Sequence, residues 1–300
     1  MSISKYLWST RRARYGMAAS ATGLITMTLM LTVVPVAVQA ATDPVLGQAI
    51  TFGILSSTYS NTAIGTTITG DLGYTTGPAV TPTVNGTTHV ADSTYNQAGI
   101  DQGSALANLN SQACTFTFPA GAVDLATDTS HGTIGIYAPG VYCTAASSAA
   151  SIGTAGITLT GSGTFIFRVE GALTTVANSA VRLASGASSC DVFWTPTAAT
   201  TLGATSTFLG TNIDASGITI GTTISWTGRA LAFGGTVSTT TDTITVPTCS
   251  TPSTTTTTTQ GATTTTTQGA TPVAQPLTSK VTVPTAPTSP IVPGQVSVTG

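Results

Sequence analysis

One pattern constrains this chain more than any other. Thr, an aliphatic residue and then a small or hydroxyl residue recur as Thr158-Leu159-Thr160, Thr175-Val176-Ala177, Thr201-Leu202-Gly203, Thr219-Ile220-Gly221 and Thr236-Val237-Ser238. Successive copies lie about 17 to 18 residues apart, apart from one longer step that contains Cys190, and Thr67-Ile68-Thr69 supplies a sixth copy upstream. Self-similarity at a short, fixed period marks a stack of coils, each burying its apolar side against the next. Neighbouring side chains of a strand point to opposite faces. Leu159, Val176, Leu202, Ile220 and Val237 are therefore expected to stack inward. Thr158, Thr160, Thr175, Thr201, Thr219 and Thr236 are expected to face outward on one wall. A second apolar set, Phe165, Phe167, Val181, Leu183, Phe208, Ile224, Trp226 and Ile244, fits a further wall of the same coil. The expected fold is mainly β, a solenoid, with a flattened β-sandwich as the other arrangement such degenerate repeats allow.

One segment breaks this texture. From Ala91 to about Ala113, apolar or small residues recur at Ala91, Tyr95, Ala98, Leu106, Leu109 and Ala113, with Asp92, Gln97, Asp101 and Gln102 between them. That spacing predicts a single long amphipathic helix with one buried stripe. Gly99 and Gly103 weaken its middle.

The two ends of the chain are of another kind. Lys5, Arg11, Arg12 and Arg14 precede an apolar run from about Met17 to Val38 that closes on Val38-Gln39-Ala40, the form of a cleaved signal peptide over residues 1–40. Beyond Cys249, residues 250–300 are rich in Thr, Pro, Ser, Gln and Gly, with a short internal repeat in 254–270. Such a tail buries too little apolar surface to offset chain entropy and is expected to be a disordered stalk, a candidate for O-glycosylation and cell-surface association. The folded domain is placed at residues 41–249. Export makes the expected location extracellular, and Cys114, Cys143, Cys190 and Cys249 then form two disulfides. Proximity along the chain favours Cys114 with Cys143 and Cys190 with Cys249 among the three possible connectivities.

Charge excludes some functions. Of the eight Lys and Arg set against ten Asp and Glu, four lie before residue 40, so the exported part is acidic and has no basic cluster. Nothing there could neutralise phosphates, which excludes nucleic acid as a partner. Catalytic chemistry is equally sparse. His89 and His131 are isolated from each other, no H-E-x-x-H or G-x-S-x-G occurs, and Glu170 is the one glutamate. Asp124, Asp128, Asp191 and Asp214 could supply a carboxylate pair, but isolated Asp residues in Gly- and Thr-rich chains are characteristically turn residues. The reading is a non-enzymatic protein without metal or cofactor.

Several segments together resemble a known family: Phe52-Gly53-Ile54-Leu55, Thr69-Gly70-Asp71-Leu72-Gly73, His89-Val90-Ala91-Asp92, Gly140-Val141-Tyr142, Gly163-Thr164-Phe165-Ile166-Phe167-Arg168 and Gly228-Arg229-Ala230-Leu231-Ala232. In this order they look like the microbial ice-binding domain, over nearly all of residues 41–249. The resemblance implies a right-handed, discontinuous β-helix of triangular section with the helix alongside. It also implies a secreted, monomeric antifreeze or ice-recrystallisation-inhibiting protein whose partner is the ice crystal surface. The family's Thr-Ala/Gly-x-Thr/Asn motif is matched cleanly only by Thr197-Ala198-Ala199-Thr200. Thr158, Thr160, Thr175, Thr201, Thr219 and Thr236 are the candidate ice-contacting residues. The competing function is a surface adhesion or structural module on the same fold, for which exposed aromatic platforms would be the sign.

Overall fold

The structure is a computed structural model that describes residues 40–249. The expected leader, save Ala40, and the expected tail lie outside the described residues. The protein is mainly β with one helix. All strand pairs among the described residues are parallel.

Long strands serve more than one ladder. In the strand Ser225–Thr239, Ser225, Trp226 and Thr227 pair with Thr243–Thr245. Ala230 and Leu231 pair with Ile54 and Leu55, and Thr236–Thr239 pair with Thr58–Asn61. The strands Phe165–Thr175 and Val192–Leu202 likewise pair with each other through both halves, with register shifts between Val169 and Ala172 and between Ala172 and Leu173. Hydrogen bonding groups the described strands into a fifteen-stranded sheet and a separate three-stranded one, Ile136–Tyr137, Ile157–Thr160 and Val181–Ala184; within the first, three ladders are distinguished, Ile54–Leu55 with Ala230–Leu231, Thr58–Asn61 with Thr236–Thr239, and Thr67–Thr69 with Thr243–Thr245. One corner is made by Gly210 and Gly228: Gly210 has φ +97°, and a Cβ on Gly228 would overlap the Gly210 carbonyl oxygen. Only glycine lets two successive rungs turn there in contact.

The helix Ser93–Ser111 begins at Asp92, whose carboxylate accepts the Tyr95 N–H at 2.8 Å, an N-cap. Its buried stripe is Tyr95, Ala98, Gly99, Gln102, Ala105 and Leu109. Ala91 and Ala113 are exposed rather than part of the stripe; Ala91 adopts φ +49° ahead of the cap, so the helix starts after it. Gln102 is buried because its Oε1 accepts the Phe233 N–H at 3.1 Å, which offsets the cost of taking an amide out of water. The stripe packs on Leu55, Leu231, Ile213, Phe193, Ile166 and Val141, the outer side of one ladder. At 1.5 Å per residue the helix is about 28 Å long. It carries the chain from the strands Asp71–Tyr74 and Thr88–Val90 toward Phe116–Thr117, while Phe52–Asn61 stacks on Ser225–Thr239.

Arg229 ties this ladder to the segment Gly47–Thr51. Its Nε donates to the Ile50 carbonyl at 2.7 Å and its guanidinium to Thr211 Oγ1 at 3.3 Å, and burial lowers its pKa to about 10.

Inside the ladders, Ile54, Ile68, Leu159, Phe165, Phe167, Trp194, Leu202, Phe208, Ile220, Trp226, Val237 and Ile244 belong to one buried cluster. The aromatic members follow one another in contact, Phe167 stacked on Trp194 with rings 4.2 Å apart and Phe208 edge to face with Trp226 at 5.1 Å. Two expected core residues are not inside. Val176 is 42% exposed, because its rung is offset by one residue and Thr175 takes the inward place. Leu183 is 36% exposed, since its strand pairs with Ile157–Thr160 on one side but has only the isolated bridge Ala180–Thr207 on the other. The disulfides are Cys114–Cys143 and Cys190–Cys249.

Candidate functional site

The three ladders differ in what they show to solvent. One is covered by the helix. The second carries a continuous outward column, built pair by pair: Ser60 beside Ser238, Ser238 beside Thr219, Thr219 beside Thr201, Thr201 beside Thr174, and Thr174 beside Ser151. Asp124 closes it beside Ser151. Thr58 and Thr236 start a parallel column two residues away. At about 4.8 Å per rung this column runs about 29 Å.

What keeps this surface regular is a set of inward polar anchors at its corners. Asp214 is fully buried and accepts the Thr200 hydroxyl at 2.8 Å and the Ser216 N–H at 2.8 Å. Thr200 Oγ1 in turn accepts from Asn212 Nδ2 at 2.9 Å. Burial raises the pKa of Asp214, with these hydrogen bonds opposing the shift. Asp242 holds the next corner by accepting the Ile224 and Thr240 N–H groups, each at 2.8 Å. The Tyr59 hydroxyl and Thr239, 2.8 Å apart, occupy the inner side of the same ladder, and burial pushes Tyr59 up to about 12. Asp124 accepts the Ala126 and Gly153 N–H groups at 3.0 and 2.9 Å. These short side chains satisfy turn backbone that would otherwise be buried unpaired.

The six candidate threonines are divided by the structure. Thr201, Thr219 and Thr236 do face outward on this second ladder. Thr175 does not: it is 6% exposed, and its Oγ1 accepts the Gly203 N–H at 2.9 Å. Thr174 stands outward in its place. Thr158 and Thr160 belong to the separate three-stranded sheet, where Thr158 lies between Arg182 and Ile136 and Thr160 beside Ala184. Thr67-Ile68-Thr69 is on the third ladder, next to Thr243-Ile244-Thr245, and that ladder meets the three-stranded sheet only through the isolated bridge Ala180–Thr207. The sequence reading missed Thr174, Ser60 and Ser238. Thr174-Thr175-Val176 aligns with Thr201-Leu202-Gly203 once Thr175 is allowed an inward place. In the isolated motif Thr197-Ala198-Ala199-Thr200, Thr197 is exposed but Thr200 is fully buried.

Both histidines are held by an aspartate three residues away in the chain. His89 Nδ1 lies 2.8 Å from the helix-capping Asp92. His131 stacks on Tyr137 with ring centroids 4.1 Å apart, its Nδ1 2.7 Å from Asp128. Among the described residues there is no group of three His, Cys, Asp or Glu side chains able to hold a metal ion. Both core tryptophans are buried, donating to the Leu209 carbonyl at 2.8 Å and the Gly210 carbonyl at 2.9 Å. The large apolar side chains exposed among the described residues are all aliphatic.

Known proteins resemble this chain in sequence and fold. The family model described as Ice-binding-like matches residues 54–245. A protein of Flavobacterium frigoris (strain PS1) described as an ice-binding protein is 33% identical over 213 residues, covering 67% of this chain and 76% of that protein. One of Nostoc sp. (strain HG1), described in the same words, is 32% identical over 219 residues, covering 69% and 75%. Among solved structures, an ice binding protein from an Antarctic Biological Consortium superposes with a TM-score of 0.60 at 28% identity, covering 71% of this chain and 96% of that one. The ice-binding protein of the Antarctic ascomycete Antarctomyces psychrotrophicus gives 0.59 at 27%, covering 69% and 100%.

Proposed function

Because the chain belongs to the ice-binding-like family, we propose that it is a secreted, non-enzymatic ice-binding protein that meets ice through the outward column of Thr201, Thr219, Thr174, Ser238 and Ser60, with Thr58 and Thr236 beside it. The observation that carries this reading is the direct register of hydroxyl side chains across successive rungs.

Rungs about 4.8 Å apart and side chains about 6.5–7 Å apart along a strand form a grid that approximates oxygen spacings on ice planes. Each Thr offers a methyl that orders adjacent water and a hydroxyl that anchors it, and its stiff χ1 holds the array in one conformation. No Lys, Arg or Glu interrupts the column, and Asp124 sits only at its end. Long charged side chains there would lift the surface from a crystal and hold their own hydration shells.

The ladders support a right-handed discontinuous β-helix of triangular section, in which the helix returns the chain along one wall. The leader, the two disulfides and the acidic exported part support secretion as a monomer with residues 41–249 as the folded unit and a stalk over 250–300. Among the described residues the adhesion-module alternative draws no support, since Trp194 and Trp226 are buried and form no sugar platform.

The test is thermal hysteresis together with ice-recrystallisation inhibition on the purified, disulfide-bonded protein. Activity that is abolished by Thr201→Tyr without a change in melting temperature supports the reading. A folded wild-type protein with neither activity would overturn it in favour of the adhesion module.

A further inference from the structure

The third ladder contains a more regular array than the second. Thr67 pairs with Thr83 and Thr243, and Thr69 pairs with Asn85 and Thr245. Thr243 and Thr245 in turn pair with Ser225 and Thr227, which pair with Thr207 and Leu209. The residue between each outward pair, Ile68, Ile244, Trp226 or Phe208, is buried, and Val84 packs on the same core. The outward side chains therefore stand in two columns, Thr83-Thr67-Thr243-Ser225-Thr207 and Asn85-Thr69-Thr245-Thr227-Leu209. The patch is five rungs long, about 19 Å by 7 Å.

Three observations separate this patch from an ordinary solvated sheet face. Nine of its ten side chains carry a hydroxyl or amide, and none of the nine is hydrogen-bonded to another side chain or to backbone within the described residues; the inward Thr66 next to them, by contrast, donates to Asn61 and is bound to the Thr240 carbonyl. The array is in strict register, with no bulge across Thr83, Thr67, Thr243 and Ser225. It is also free of charge; Arg182 stands in the neighbouring three-stranded sheet, which meets this ladder only through the bridge Ala180–Thr207. Protein surfaces ordinarily carry about a quarter to a third charged residues, so an uncharged Thr grid is suited to a flat, neutral, hydrogen-bonding lattice.

We propose that this patch is a second ice-contact plane, built on Thr67, Thr69, Thr243, Thr245 and Thr227 and independent of the Thr201 column. It rests on the ice-binding reading above. The two surfaces lie on different ladders of one body and so face different directions. One molecule can then engage two lattice orientations, or two crystals at a grain boundary, which is where recrystallisation proceeds.

The experiment uses the full chain, fluorescently labelled and incorporated into a single-crystal ice hemisphere, with wild type, Thr227→Tyr/Thr245→Tyr, Thr201→Tyr/Thr219→Tyr, and the fourfold variant. Wild type is expected to decorate two sets of planes. Each double variant should lose one set and keep the other, and the fourfold variant should lose both. Recrystallisation inhibition by Thr227→Tyr/Thr245→Tyr should require several-fold more protein at an unchanged melting temperature. Should that double variant fail to fold, Thr245→Lys, which places a hydrated charge on the same exposed spot, serves in its place. Planes and inhibition identical to wild type in a folded variant of the third ladder would overturn the second plane and leave the function intact. A wild type that decorates no ice overturns both.

Discussion

Thr201 and Thr219 pair directly across the parallel strands Val192–Leu202 and Ile218–Ile220, and both side chains point to solvent while Leu202 and Ile220, one residue on, pair with each other inside. Two adjacent residues of one strand thus serve separate ends, one the surface and one the core.

This division predicts opposite phenotypes for neighbours. Thr201→Tyr places a ring in the middle of the flat column and should remove most thermal hysteresis, while stability changes by less than about 0.5 kcal/mol, as at most exposed positions. Leu202→Ala should cost about 2–5 kcal/mol through a core cavity and leave activity per folded molecule intact. Denaturant unfolding and hysteresis measured on the same samples check both.

Thr174 and Thr175 test the inverted rung. Thr174→Tyr is expected to lower ice activity with little effect on stability. Thr175→Val keeps the shape but deprives the Gly203 N–H of its 2.9 Å side-chain partner, a loss worth about 1–3 kcal/mol for a buried donor, though Gly203 N also reaches the Thr175 carbonyl at 3.0 Å, which places the cost at the lower end. A Thr175→Val protein with normal stability and lost activity would show Thr175, not Thr174, on the surface.

The helix offers a matched pair of glycines. A Cβ on Gly103 meets nothing within 4 Å, so Gly103→Ala should stabilise by about 0.5–1 kcal/mol through helix propensity. A Cβ on Gly99 would overlap the Phe233 ring. Gly99→Ala should therefore lower the melting temperature, because the ring or the helix must move. Thermal melts of the two variants should shift in opposite directions.

Asp214 predicts a pH dependence. Its folded pKa is raised by burial, so the folded state holds its proton more tightly than the unfolded chain. Its contribution is fully present below the ordinary carboxylate range and is lost as pH rises through the raised folded value. Comparison with Asp214→Asn isolates this one group. The stability of wild type relative to the variant should improve on acidification from pH 7 to below 4, read from melting temperatures across that range. The opposite slope would mean that the hydrogen bonds from Thr200 and Ser216 outweigh desolvation.

Much of this protein is decided within a few residues of sequence. Alternation puts Leu159, Leu202, Ile220, Val237, Phe165 and Phe167 inside, since adjacent side chains of a strand have no choice but opposite faces. The apolar spacing from Tyr95 to Leu109 marks one helix among the strands, though its packing on Leu55, Leu231 and Ile213 supplies most of its stability. Turn aspartates such as Asp124 and Asp214 bond backbone two residues away, which is local chemistry. Only the tertiary structure decides which ladder a repeat joins, and hence which threonines form one surface. Thr158-Leu159-Thr160 and Thr201-Leu202-Gly203 read alike, but corners and register shifts send them to different ladders. Thr175 and Val176 are nearly the same shape, and the choice between them is made by a backbone N–H on Gly203, 28 residues on. Because Thr is at once a β-branched core filler and a surface hydroxyl, its place follows from what stacks against it in the next rung, and that is not written in its own neighbourhood of the chain.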